Sequence, residues 1–88
     1  MIRVRAVVEG RVQGVWYRES CRREADSEGI AGWVRNNEDG SVEAVLEGEP
    51  HAVARVLAWM RNGPPAAIVT NVRVTEEEPR NEHGFKVR

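Results

Sequence analysis

The first residues of the chain alternate apolar and basic side chains: isoleucine, valine, alanine and valine occupy positions 2, 4, 6 and 8, with arginine at 3 and 5. A period of two is typical of a β-strand that buries one face, so this stretch predicts a strand that stops at Gly10. The following residues, 10–15, have glycine at positions 10 and 14 and no regular period. They predict a loop.

Two later stretches space their apolar residues as helices do. From residue 16 to about residue 28, Tyr17, Cys21 and Ala25 fall four apart on one expected helix face, and Gly29 is a suitable stop. The second stretch begins at Pro50, which suits a first helical position, and ends at Gly63-Pro64-Pro65. Its apolar positions follow the i, i+3, i+4, i+7 spacing of an amphipathic helix: Val53, Val56, Leu57 and Met60.

The remaining apolar segments predict strands. Residues 30–35 and 41–47 flank the turn sequence Asn36-Asn37-Glu38-Asp39-Gly40, so they are expected to form a hairpin. A fourth strand is expected from residue 68 to about residue 75, and residues 85–88 offer a short further strand at a sheet edge. No pattern assigns a structure to residues 76–84.

The order strand, helix, strand, strand, helix, strand predicts an α+β fold. It is the order of the ferredoxin-like βαββαβ sandwich, in which two helices cover one face of a four-stranded antiparallel sheet. Eighty-eight residues make a single domain, 1–88. In this topology the first and second strands run parallel on either side of the third. Their carboxyl ends and the start of the first helix are therefore expected at one edge of the sheet.

The loop 10–15 leads directly into a helix, and helix amino-termini favour anions because their backbone N–H groups are unpaired. Glycines at both ends let several N–H groups converge on one set of oxygens. Arg18, at the start of the helix, can hold two phosphate oxygens with its planar guanidinium, and Arg11 is a second cation nearby. The spacing alone does not exclude an ordinary tight turn without an anion site, because such glycine pairs are common in tight turns and such arginines are usually solvated.

Asn36 directly follows the second predicted strand, and so is expected at the same sheet edge as the loop. Its carboxamide can both accept from and donate to a water molecule. Taken alone, Asn36 and Asn37 are turn residues, and only their expected nearness to the loop favours a role in chemistry. Trp33 is expected to pack in the core or at an edge.

This set of groups is poor in acids and bases but sufficient for one reaction class. An acyl phosphate leaves as a carboxylate, whose conjugate acid has a pKa of about 4 to 5, so it needs no general acid. Phosphoryl transfer asks mainly for positioning and charge stabilisation. No carboxylates or histidines converge in the sequence as metal ligands, and we expect neither a metal nor a cofactor.

Composition narrows the function classes. Thirteen basic and fourteen acidic side chains give a net charge of −1, so the chain lacks the basic footprint of a nucleic-acid-binding protein. No segment approaches the roughly 20 apolar residues of a membrane span, and the amino-terminus lacks the apolar core of a signal peptide. The single cysteine cannot form an internal disulfide. We expect a cytoplasmic protein without a membrane partner, and nothing demands more than a monomer.

The segments that carry this chemistry resemble the two signatures of the acylphosphatase family. The first signature is Gly-x-Val-Gln-Gly-Val-x-Phe/Tyr-Arg, and the chain reads Gly10-Arg11-Val12-Gln13-Gly14-Val15-Trp16-Tyr17-Arg18. The second is matched by Gly32-Trp33-Val34-Arg35-Asn36 followed by Asp39-Gly40-Ser41-Val42-Glu43. The similarity continues through residues 45–48, 59–66 and 85–88. It covers essentially the whole chain, and two long signatures at this separation are specific.

The resemblance implies hydrolysis of the carboxyl–phosphate bond of an acyl phosphate, with inorganic phosphate as product and inhibitor. It implies that Arg18 binds the phosphate and that Asn36 orients the attacking water. It also implies that backbone amides of the loop bind phosphate, those of Arg11, Val12, Gln13, Gly14 and Val15. Tyr17 stands where phenylalanine is commoner, and Trp16 fills a variable position with a bulky side chain.

Three other functions remain open at this point. A single-stranded RNA-binding module on this fold would need exposed aromatic residues on the central strands, and the first strand has none. Acylphosphatase-like domains also serve larger carbamoyl-transfer enzymes, although no zinc-binding cysteines accompany this one. A fold member without activity is the third. Of the remaining reactive side chains, Cys21 is expected to be buried and inert, and His51 and His83 to be exposed.

Overall fold

The computed structural model describes the whole chain, from Met1 to Arg88. Its elements follow the expected order, including the short further strand expected near the end of the chain: β1 (Ile2–Arg11), α1 (Tyr17–Ser27), β2 (Ala31–Asn36), β3 (Val42–Gly48), α2 (Pro50–Met60), β4 (Ile68–Glu77) and β5 (Phe85–Val87). The strands form one sheet in the order β4-β1-β3-β2-β5. The ferredoxin-like prediction is confirmed, and β5 pairs parallel with β2, so the sheet is mixed.

One face of the sheet packs against both helices. Alternate residues of β1 and β3 point into this core because successive side chains of a strand lie on opposite faces. The predicted helix stripes supply the other layer. The buried apolar residues of the two layers include Val4, Ala6, Val8, Val42, Ala44 and Leu46 from the strands and Tyr17, Cys21, Ala25, Val53, Val56 and Met60 from the helices.

The first strand is longer than the sequence predicts. It continues through Gly10 to Arg11 and remains paired with β4. The pairing register between the two strands shifts between Glu9 and Gly10. Gly10 has φ 125°, and a Cβ there would lie 2.1 Å from the carbonyl oxygen of Ile68, so only glycine permits this close pairing. The prediction that Gly10 ends the strand and that Arg11 belongs to the loop is therefore wrong. The loop is the shorter segment 12–16.

The helix after this loop begins one residue later than expected. Trp16 has φ 67° and ψ 21°, a left-handed conformation that cannot continue a helix, so α1 starts at Tyr17. At the other end of the chain β4 extends past the expected residue 75 to Glu77.

The sheet face opposite the helices carries a network of ion pairs. Arg3, only 2% exposed, contacts carboxylate oxygens of Glu47, Glu77 and Glu82 at 3.0–3.1 Å. The carboxylate of Glu47 also accepts hydrogen bonds from the backbone N–H groups of Arg80 and Glu82. Residues 78–84 therefore cross this face from one sheet edge to the other, and they deliver β5 to its place beside β2. Glu77, in the stretch to which no sequence pattern assigns a structure, is paired with both Arg3 and Arg5 on this face.

Candidate active site

A cleft of about 320 Å³ lies at the amino-terminus of α1. Residues from the loop, the first turn of α1 and the ends of β2 and β5 line it: Val12, Gly14, Trp16, Tyr17, Arg18, Glu19, Asn36 and Val87. The topology predicted that the end of β2 would meet the start of α1, and the shared cleft confirms that Arg18 and Asn36 lie together.

The parity of β2 explains why Asn36 faces this cleft. Gly32 and Val34 are buried on the helix-covered face, and Asn36 has the same parity, two residues beyond Val34. It is the last residue of the strand, where the apolar core ends. Its carboxamide therefore points to the helix side of the sheet but remains exposed to solvent. Val87 pairs with Val34 in the parallel ladder and reaches the cleft from the neighbouring strand.

Arg18 lies in the first turn of α1 and is fixed by the carboxyl-terminal segment. Its Nη1 donates a hydrogen bond to the main-chain oxygen of Arg88 at 3.1 Å. The N–H of Arg88 in turn donates to the carbonyl of Val34 at 2.9 Å. One donor of the guanidinium is used in this contact, which leaves the others for an anion in the cleft.

The backbone between β1 and α1 provides unpaired donors beside this guanidinium. No N–H group from Val12 to Glu19 donates a hydrogen bond to a protein acceptor. Trp16, the residue before the helix, makes no side-chain cap, so no side chain accepts from the N–H groups at the amino-terminus of α1. Unpaired N–H groups, a helix amino-terminus and a guanidinium together suit a phosphate group.

The loop residues of the predicted site divide into two groups. Val12 and Gly14 line the cleft, and Gly14 has the left-handed φ of 75° that glycine adopts readily. Arg11, Gln13 and Val15 do not line it. The guanidinium of Arg11 is exposed on β1, so its expected place as a second cation of the loop is not supported.

The side chain of Gln13 has a structural task that the sequence did not suggest. Its Nε2 donates to the carbonyl oxygens of Asn37 and Ser41 at 2.7 and 2.9 Å. These carbonyls belong to the turn that follows Asn36. Gln13 therefore joins the loop 12–16 to the end of β2, where Asn36 lies.

The acidic residue of the cleft is neutralised by its neighbours. Both carboxylate oxygens of Glu19 accept from the guanidinium of Arg22, at 3.0 and 2.5 Å. The hydrogen bond from Arg22 lowers the pKa of Glu19, and Arg23 adds a second attraction. The carboxylate is thereby held ionised and paired, which reduces its repulsion of a bound phosphate.

Tyr17 and Cys21 face the core. The hydroxyl of Tyr17 donates to the carbonyl of Met60 at 2.7 Å, and burial raises the pKa of this tyrosine far above its ordinary value. Burial likewise raises the pKa of the Cys21 thiol to about 12, which agrees with the predicted inert thiol. His51 and His83 are exposed, as expected. No group of three or more His, Cys, Asp or Glu side chains is arranged to hold a metal ion.

The RNA-binding alternative is not supported by the sheet surface. Trp33, the one aromatic residue on the sheet face opposite the helices (the open face), is only 8% exposed. The guanidinium groups of Arg35 and Arg88 lie over its ring, 4.9 and 4.7 Å from the centroid. No aromatic platform for a base is therefore free on the central strands.

Comparison with known proteins agrees with the geometry. The acylphosphatase family model matches residues 4–87 of the chain. The chain belongs to the acylphosphatase family. An acylphosphatase from Thermococcus kodakarensis is 54% identical over 99% of this chain and 98% of its own length. One from Thiobacillus denitrificans is 59% identical over 81% of this chain and 80% of its own length.

A solved acylphosphatase structure extends the match to the fold. The crystal structure of acylphosphatase from Bacillus subtilis superposes with a TM-score of 0.97 at 39% identity, covering 100% of this chain and 99% of that one. With family and fold matched at this coverage, the activity is that of an acylphosphatase, a hydrolase. Neither helix of this acylphosphatase is both long and apolar enough to span a membrane.

Proposed function

We propose that Arg18 and the backbone N–H groups of the loop bind the phosphoryl group of an acyl phosphate, and that Asn36 positions the water that attacks it. One observation carries the proposal: the turn that bears Arg18, the residues Val12, Gly14 and Trp16 with their unpaired N–H groups, and Asn36 line one cleft. The guanidinium and the N–H groups stabilise the negative charge of the transferring phosphoryl group, and the carboxamide holds the attacking water in position.

The reaction needs no further catalytic group. The water oxygen forms a bond to phosphorus, the bond between phosphorus and the acyl oxygen breaks, and the electron pair leaves with the carboxylate. A phosphoryl oxygen accepts the proton of the water. Because the departing carboxylate is a weak base, no acid has to protonate it. The arginine and the N–H groups stabilise the charge on the equatorial oxygens.

The substrate class follows from the proposed role of the cleft, which is to bind the phosphoryl group. The cleft holds the phosphoryl group, so any small acyl phosphate that presents it qualifies as substrate. Inorganic phosphate, which has the same oxygens, is expected to be both product and competitive inhibitor. We place this chemistry in a single-domain, monomeric, cytoplasmic enzyme that needs neither metal nor cofactor.

A hydrolysis assay in chelator tests this function. The purified protein, with EDTA present, is expected to hydrolyse acetyl phosphate and benzoyl phosphate and to be inhibited by inorganic phosphate. Arg18→Gln is expected to weaken both phosphate inhibition and turnover. Asn36→Ala is expected to lower kcat by about a hundredfold or more while the inhibition constant for phosphate changes little.

Matched controls separate these effects from general loss of structure. Arg61→Gln and Asn62→Ala remove the same functional groups from exposed positions after α2, outside the cleft. Both variants are expected to keep the activity of the parent. Full activity in Asn36→Ala would rule out the water-positioning role, and activity only with an added metal would rule out the metal-free reaction.

A further inference from the structure

Trp16 is unlike the other tryptophans of the chain. Trp33 is 8% exposed and Trp59 packs against the core, whereas Trp16 is 80% exposed. Isolated exposed apolar residues are common and need no explanation in themselves. Trp16, however, is one of the residues that line the active-site cleft.

The backbone of Trp16 strengthens the case for a function. Its φ of 67° is left-handed, a conformation that suits glycine and is unfavourable for a bulky side chain. The chain therefore carries its largest kind of side chain at a position where glycine would relieve strain. An unfavourable backbone conformation beside a catalytic site is a reason to ask what the side chain contributes.

The cleft combines polar groups with an apolar surface. Arg18, Asn36 and the loop N–H groups supply the polar part. Of the apolar lining residues, Val12 and Tyr17 are 1% exposed and serve the core, whereas Trp16 and Val87 offer exposed carbon. A substrate whose phosphoryl group occupies the polar part must place its acyl group elsewhere in or over the same cleft. The indole of Trp16 is the largest apolar surface available there.

We propose that Trp16 binds the acyl group of the substrate and selects aromatic and other large apolar acyl phosphates over acetyl phosphate. The proposal rests on the function proposed above. An acetyl group offers one methyl to the indole, whereas a benzoyl ring can stack on it or meet it edge-to-face. The contact is made equally before and during the reaction, so it lowers KM rather than raising kcat.

The test compares two substrates in matched variants. Trp16→Gly removes the indole and suits the left-handed backbone, so it is not expected to impair folding. For benzoyl phosphate, kcat/KM is expected to fall about tenfold, mainly through KM, while for acetyl phosphate it changes less than about twofold. Trp16→Phe is expected to retain most of the preference. An unchanged inhibition constant for inorganic phosphate in each variant would show that the loop is intact.

Ile68→Ala is the matched control, because Ile68 is a second exposed apolar residue, 58% exposed, that does not line the cleft. Its ratio of benzoyl to acetyl activity is expected to equal that of the parent. Equal losses for both substrates in Trp16→Gly, or no loss for benzoyl phosphate, would overturn the assignment of Trp16. Such results leave the proposed function intact, which fails instead if the parent hydrolyses neither substrate.

Discussion

The side-chain amide of Gln13 donates a hydrogen bond to the main-chain carbonyl of Asn37, 2.7 Å away, and so fastens the loop after β1 to the turn after β2. The same amide donates a second hydrogen bond to the main-chain carbonyl of Ser41. The two halves of the candidate site come from segments that are distant in sequence. This amide is the direct polar link between the loop 12–16 and the turn that follows Asn36.

Gln13→Ala is therefore expected to lower kcat by about tenfold, because the attacking water and the phosphoryl group lose their fixed relation. The inhibition constant for inorganic phosphate is expected to change little, since the loop N–H groups and Arg18 remain. Steady-state kinetics with a phosphate titration measure both quantities.

Asn71→Ala provides the control for Gln13→Ala. It removes a side-chain amide that donates to Glu9 at an exposed site on β4. Its kinetics are expected to match the parent. An unchanged kcat in Gln13→Ala would show that the turn holds Asn36 in place without this link.

Local sequence patterns and the topology they imply were enough to predict which residues meet at the candidate site. A period-two strand, a loop with glycine and a short helix stripe suffice to order the elements, and the order places Arg18 and Asn36 at one sheet edge. The family signatures then assign the roles that spacing alone leaves open. The extension of β1 through Gly10 was not predictable, because it depends on the close approach of the Ile68 carbonyl, far along the chain.

The network around Arg3 shows the same limit more strongly. Its partners Glu47, Glu77 and Glu82 are remote in sequence, and nothing local distinguishes them from solvated glutamates. An alternating strand predicts that Arg3 lies on the open face but not that a returning segment buries it. Long-range pairing of this kind becomes visible only when the path of residues 78–84 is known.

The hydrogen bond from Tyr17 to Met60 predicts a stability effect without a catalytic one. The residue four positions after Met60 is Pro64, which has no N–H, so the tyrosine hydroxyl satisfies the helix-end carbonyl instead. Tyr17→Phe leaves that buried carbonyl unpaired and is expected to lower the free energy of unfolding by about 1–2 kcal/mol. Urea denaturation measures the loss, and kcat/KM is expected to stay within about twofold of the parent.

The carboxylates of the open sheet face predict acid sensitivity. A backbone hydrogen bond from Arg80, with further bonds from Arg3 and Glu82, holds the pKa of Glu47 below its ordinary value. Hydrogen bonds from Arg5 and Arg3 do the same for Glu77. A carboxyl whose folded pKa is lowered stabilises the fold above its unfolded pKa of about 4.3 and loses that contribution as the pH falls through the folded pKa. Unfolding free energy is therefore expected to be level from pH 7 to 5 and to fall below about pH 4.

Glu47→Gln tests the origin of that acid sensitivity. The substitution leaves the buried Arg3 short of one charge partner and is expected to cost on the order of 3 kcal/mol at pH 7. Its stability is also expected to fall less steeply between pH 5 and pH 3 than that of the parent. Glu28→Gln, which breaks the exposed pair with Arg55, is expected to cost under about 1 kcal/mol. An equally steep acid fall in Glu47→Gln would assign the effect to other carboxyls.

Cys21 offers a chemical probe of the core beneath the active site. The thiol is fully buried on α1 and its pKa is raised to about 12, so at neutral pH it is neither accessible nor ionised. The native protein is expected to react with a thiol reagent such as Ellman's only at the rate at which the core opens, and rapidly in denaturant. Saturating inorganic phosphate, which we propose binds the folded cleft, is expected to slow the native reaction further. A fast, phosphate-insensitive reaction at neutral pH would show that α1 opens without disturbing the loop 12–16, contrary to the packing of Tyr17 and Cys21 in one buried stripe.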